Sequence, residues 1–258
     1  FKEVYNVTAF QRGLIEFPRE LPGLLCVFIV SALGFLGDIR VSFIAQILAF
    51  VGVIMLGMFT PAFGVMLIFL FINSMGMHLF IPLRDSICMA LAEPDQIGRR
   101  MGQYSSIKSA FGFIAALIVF FGFRTGLFSF KTPVKWIFVV SAIFFACAMV
   151  VNAFMIRLVK PQKLASYKTK LVFRRQYGGY YILAILFGIQ KQVTGVYGTW
   201  VIVDLLMKKT DTIALLSIVV GFACIFFMNL VGKWLDRFGI KRMMYIDAFS
   251  FIGVYAVY

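Results

Sequence analysis

The sequence has few acids, a single histidine, and no polar stretch long enough to build a water-soluble surface. Lysine and arginine number 25, aspartate and glutamate 11, and histidine 1. One histidine excludes an H-E-x-x-H metal helix, and no G-x-S-x-G serine elbow occurs. Paired catalytic groups for intramembrane hydrolysis are therefore missing, and no cofactor or metal is implied. Cys26, Cys88, Cys147 and Cys224 lie in or beside apolar runs and form no CxxC pattern. They read as packing residues, without a disulfide framework. Hydrophobic residues, by contrast, make up 62% of the chain, and mean hydropathy is +0.94. Globular domains are nearer half apolar. A 258-residue chain of this kind cannot hide its apolar surface from water, so its solvent is lipid.

The formal charge of +14 would suit a nucleic-acid binder, but the cations cluster between apolar runs. The pattern predicts an all-α, polytopic helix bundle with about eight spans: 13–36, 41–59, 62–82, 101–123, 136–156, 180–206, 213–231 and a last one from 243. The third is expected to continue as an interfacial helix through Arg84 and Asp85. Pro18 and Pro22 should kink the first. In the fourth, Gly102, Ser105, Ser109, Gly112 and Ala116 recur every three or four positions, a smooth face for close packing. Residues 157–175 carry seven cations and no acid. This divides the chain into a first half at 1–156, a basic linker at 157–177 and a second half at 178–258. Lysine and arginine concentrate in one alternating set of loops, which is expected on the cytoplasmic side of a cell membrane. The chain opens on Phe1 and stops inside an apolar run at Tyr258, so an internal piece of a longer protein is expected.

One loop stands out between two apolar runs: Gly232-Lys-Trp-Leu-Asp236-Arg237-Phe-Gly239-Ile-Lys241-Arg242. A weaker copy, Gly34-Phe-Leu-Gly37-Asp38-Ile-Arg40, keeps the glycine-to-aspartate spacing but lacks the second glycine and the basic pair. Gly23 precedes Gly34 by the interval that separates Gly221 from Gly232. The later loop resembles the G-x-x-x-D-R-x-G signature, followed by two basic residues, of the major facilitator superfamily of membrane transporters. The resemblance implies two six-helix halves related as parallel repeats. It makes the present spans the second to the ninth of twelve. It also implies that the presumptive fourth and seventh helices line a central cavity, whereas the third and sixth face lipid. The two loops would act as conformational switches through Gly34, Asp38, Arg40, Gly232, Asp236, Arg237, Gly239, Lys241 and Arg242.

The presumptive fourth and seventh helices carry the polar residues that could bind a solute: Asn73, His78, Gln190, Lys191, Thr194 and Tyr197. Lys191 is costly inside a bilayer, by roughly 3 kcal/mol on insertion scales. Glu16, Arg19 and Glu20 occupy adjoining turns of one helix, a coupling or purely structural charge cluster. Counted along the helix, Glu20 falls in the outer half of the membrane and His78 past the middle. The reading is a secondary transporter of a small solute, possible proton coupling included, working by alternating access. It is expected to be monomeric, with lipid and solute but no nucleic acid as partners. The alternatives are a polytopic channel or receptor, and a membrane-embedded enzyme.

Overall fold

The computed structural model describes Tyr5 and residues 9–129, 132–159, 174–192 and 210–257. Among these residues there is no strand. The long helices are α1 (Ala9–Leu33), α2 (Asp38–Met58), α3 (Phe63–Ala90), α4 (Ile97–Arg124), α5 (Trp136–Leu158), α6 (Gly178–Gln192), α7 (Thr210–Phe238) and α8 (Ile240–Val257). Six of them, α1 to α5 and α7, are long and apolar enough to cross a membrane. Their outward faces are aromatic and aliphatic, with Phe28, Phe111, Phe154 and Phe226 all more than half exposed. Only lipid accommodates such an exterior, because in lipid the backbone's hydrogen bonds must close within each helix. The protein is a multi-pass integral membrane protein.

The chain forms two compact units. The first comprises residues 1–101 and 122–170, and the second residues 102–121 and 171–258. In the first unit the helices do not pack in chain order: α3 lies between α1 and α2, and α2 between α3 and α5. Small residues allow this. Gly76 of α3 sits on Ala45 and Ala49 of α2, and Gly52 of α2 sits on Asn73 of α3. On its other side α2 places Gly57 against Phe138 and Val139, while the Asn152 amide donates to the Ser42 hydroxyl at 3.1 Å. Tight glycine and alanine contacts and interhelical hydrogen bonds supply the association that lipid-immersed apolar faces do not.

Two expectations change here. The helix α3 runs unbroken through Pro82 to Ala90, so Arg84 and Asp85 belong to the same long helix and not to a separate interfacial piece. The helix α2, expected to face lipid, is the most buried of the six candidate spans. A helix apolar all round suits either setting, and packing on two sides decided this one.

At the C-terminal end of α2, Lys135 is 4% exposed. Its backbone N–H donates to the Gly57 carbonyl at 2.8 Å, and its Nζ donates to the Thr60 hydroxyl at 2.6 Å and the Pro133 carbonyl at 3.3 Å. A cation at a helix C-terminus also meets the negative end of the helix dipole. Burial still pushes its pKa below the ordinary lysine value of 10.5. The unfolded chain then holds this proton more tightly than the folded protein does. Stability should therefore rise with pH between the lowered folded value and 10.5. Thermal unfolding in detergent, for wild type and Lys135→Met, checks this. The variant should lose that alkaline gain, and parallel pH profiles would contradict it.

Candidate functional site

The polar residues of α1 and α3 meet in one place. Arg19 Nη2 lies 2.7 Å from Glu16 Oε2 and 2.9 Å from Glu20 Oε1. The other Glu20 oxygen, Oε2, faces His78 Nε2 across 4.0 Å. The Ser74 hydroxyl donates to the Arg19 carbonyl on the turn that Pro22 distorts. Gly23 makes room for the imidazole: a Cβ there would lie 3.1 Å from His78 Nδ1. Glu16, Arg19 and Glu20 are therefore joined by a histidine from a different helix, which helical spacing within α1 alone does not reveal.

The level of this cluster along the unit follows from the helix packing. At one end of the unit, the Tyr5 hydroxyl donates to the Pro61 carbonyl. At the other, the Ser86 hydroxyl donates to Asp38 Oδ2 at 2.5 Å. Ser74, the partner of Arg19, falls midway along α3 between Phe63 and Ser86. Its neighbour Asn73 donates to the Ala49 carbonyl at 2.8 Å, close to the middle of α2. Glu20 thus lies level with the middles of α2 and α3, and His78 lies beside it. The packing of α1 on α3 sets this level, which counting along one helix does not give. Asn73 does not join the cluster, since its amide is engaged with the backbone of α2.

The second polar helix, α6, is described as far as Gln192. Gln190 is half-buried. For Lys191 only the backbone is described, and Thr194 and Tyr197 lie outside the described residues, as do Lys160, Lys163, Lys168 and Lys170 of the linker.

The two glycine–aspartate loops share spacing but not geometry. Gly37 takes φ +82° and α2 starts at Asp38, so this carboxylate sits in the first turn of a helix and accepts from Ser86. A helix N-terminus favours such a charge. In the later loop α7 continues through Asp236 to Phe238, and the break comes at Gly239, with φ +78°. Asp236 and Arg237 therefore end one helix, while Lys241 and Arg242 begin the next. Arg237 lies over the Phe238 ring, 5.4 Å from its centre. Both φ values lie where only glycine is comfortable. Gly232 is deeper in α7 and touches α4 within the second unit: a Cβ on Gly102 would lie 2.8 Å from Gly232 Cα and from the Met228 carbonyl. Of the small residues along α4, Gly102 makes this close approach, and Gly112 has open space beside it.

A sequence-family model for the Major Facilitator Superfamily matches residues 19–258. The chain belongs to the major facilitator superfamily. No curated protein and no solved structure matches it. The match takes in the mid-span cluster from Arg19 onward, both glycine–aspartate loops and all of α2 to α8. Members of this superfamily are membrane transporters and not enzymes, and this protein is a membrane transporter of that superfamily. Among the described residues, no group of histidine, cysteine and acidic side chains is placed to hold a metal ion.

Proposed function

We propose that this superfamily member is a secondary transporter that moves a small solute by alternating access. The observation that carries the reading is the α7–α8 loop. Its left-handed Gly239 turn joins an acid–base helix end to a basic helix start, a short way beyond the Gly102–Gly232 approach on the same helix. A rigid crossing beside a short charged turn is the kind of element that can hold two discrete arrangements. In this reading Asp236 and its neighbouring cations favour one arrangement, and Asp38, held by Ser86, steadies the other loop. The halves are 1–156 and 178–258, joined by the basic linker 157–177. The linker and both loops face the cytoplasm, because their lysines and arginines outnumber those of the opposite loops.

The solute site lies on α6 and the chain that follows it, with Gln190, Lys191, Thr194 and Tyr197 as its polar groups. Lys191 lies about 20 Å along α6 from Gly178, too deep for its ammonium to reach water at either surface easily. In this reading its ammonium binds an anionic group of the solute, or a carboxylate that the solute displaces. Uptake of a panel of radiolabelled sugars, amino acids and organic anions into proteoliposomes tests the function. Lys191→Met, which keeps the stem and removes the charge, should reduce uptake at least tenfold with membrane insertion within about twofold of wild type. Unchanged affinity, rate and pH dependence in a normally inserted variant would show that Lys191 has no part in transport.

A further inference from the structure

We infer that the mid-span cluster of Glu16, Arg19, Glu20 and His78 is the proton-carrying site of this transporter, with the proton held between His78 Nε2 and Glu20 Oε2. The inference rests on the transporter reading above and adds the coupling ion. Charge is the starting point. Two carboxylates share one guanidinium, so the cluster keeps one negative charge in excess while His78 is neutral. An uncompensated charge at mid-span is expensive. One proton on the imidazole cancels it. The binding step is N–H formation at Nε2, with the proton drawn from water and the N–H aimed at Oε2. Release reverses it. No electron moves and no other reactant is needed.

The geometry suits reversible binding. The Arg19 side chain holds Oε1 of Glu20 through Nη2 at 2.9 Å and Nε at 3.2 Å, which leaves Oε2 for the histidine. The 4.0 Å gap between Oε2 and Nε2 exceeds a hydrogen bond by about 1 Å, so a small approach of α1 to α3 makes or breaks the contact. Gly23 lets the ring lie against α1 at that level. The charges on the helices that carry and adjoin the pair are few. The helix α1 presents Glu16, Arg19 and Glu20. The helix α3 presents His78, with Arg84 and Asp85 nearly two turns further on and paired to each other at 3.1 Å. The helix α2, packed on the far side of α3, carries charge only at Asp38 and Arg40 in its first turn. Among the described residues, Arg19 is the cation that pairs with Glu20. The side chains of Glu20 and Arg19 are 44% and 43% exposed, and that of His78 25%, so the described helices do not seal the pair off.

His78 is the single histidine of these 258 residues, which makes the test direct. The full-length protein is labelled with ¹⁵N-histidine and reconstituted in phosphatidylethanolamine–phosphatidylglycerol vesicles. Its imidazole signals are recorded by solid-state NMR from pH 8 to pH 5, and the His78→Gln spectrum identifies the His78 signal by subtraction. The signal should show a protonated Nε2 within this range, and Glu20→Gln, which removes the facing carboxylate, should change it. An imidazole that stays neutral throughout, or whose titration ignores Glu20→Gln, overturns the inference. A second arm uses the solute returned by the uptake panel, with pyranine trapped inside the vesicles. Uptake should acidify the dye, and in His78→Gln and Glu20→Gln the ratio of gradient-driven uptake to solute exchange should fall about tenfold. Uptake without proton movement overturns the proton role and leaves the transporter reading intact. If no solute moves at all, the transporter reading fails and the inference, which assigns the transported proton, falls with it; the NMR arm then shows separately whether the pair binds a proton.

Discussion

Gly76→Val should cause a larger loss of folded, monodisperse protein than a substitution at any other helix crossing. A Cβ at position 76 would lie 2.3 Å from the Ala45 carbonyl oxygen, 2.4 Å from the Ala49 nitrogen and 2.9 Å from Ala49 Cα. All three are backbone atoms in the middle of α2, and a helix backbone cannot yield as a flexible side chain can. The helices must separate. That separation also strains the hydrogen bond from Asn73 to the Ala49 carbonyl one turn away, and the approach of Gly52 to Asn73, where a Cβ would lie 2.5 Å from the Asn73 nitrogen. Overpacking of this kind costs about 1–3 kcal/mol or more, and a lost hydrogen bond roughly 1 kcal/mol. Against a typical stability of about 5–15 kcal/mol the sum is large. Because α2 joins α3 to α5, the damage should spread through the first unit. Fluorescence-detected size exclusion of wild type, Gly76→Val and Gly64→Val checks this. Gly64 lies on the same helix with nothing within 4 Å of its Cβ position, so it serves as the control. Equal yields of the two variants would mean that the α2–α3 contact is not as close as the structure has it.

Gly102→Val should act differently, lowering transport by at least tenfold while the folded yield falls less than for Gly76→Val. Its Cβ would meet Gly232 Cα and the Met228 carbonyl at 2.8 Å, again backbone atoms that cannot give way. The α4–α7 approach joins one pair of helices, however, whereas Gly76 presses on α2, which also packs against α5. The helices can move apart and survive. What they lose is the close crossing next to the Asp236–Gly239 turn, on which the proposed two-state behaviour depends. Uptake per folded molecule separates the effects. Uptake at the wild-type level in Gly102→Val would remove this crossing from the transport cycle. Combining Gly102→Ala with Gly232→Ala in a double-mutant cycle should give effects that do not add, since the two positions touch.

The sequence by itself determined the lipid setting, the helical class and most span positions. The reason is elementary: backbone polar groups in hydrocarbon must be satisfied within each segment, so long apolar runs become helices. It also singled out the Gly232–Arg242 stretch, because glycine, aspartate and arginine at fixed spacing between two such runs form a rare local pattern, but the expected link from 232 is helix through Phe238 and the break falls at Gly239. Only the tertiary structure decided which helices are neighbours. The helix α1 packs chiefly on α3, which brings His78 to Glu20 and Ser74 to Arg19, and the α2–α3 crossing brings Ser86 to Asp38. Periodicity shows which residues share a face of one helix. It does not show which other helix that face meets, since to a lipid-exposed helix all apolar faces are alike and small residues and single hydrogen bonds select among them. The same limit explains α2. Its uniform apolarity signalled lipid or core equally well, and the glycines and alanines of two flanking contacts made it core.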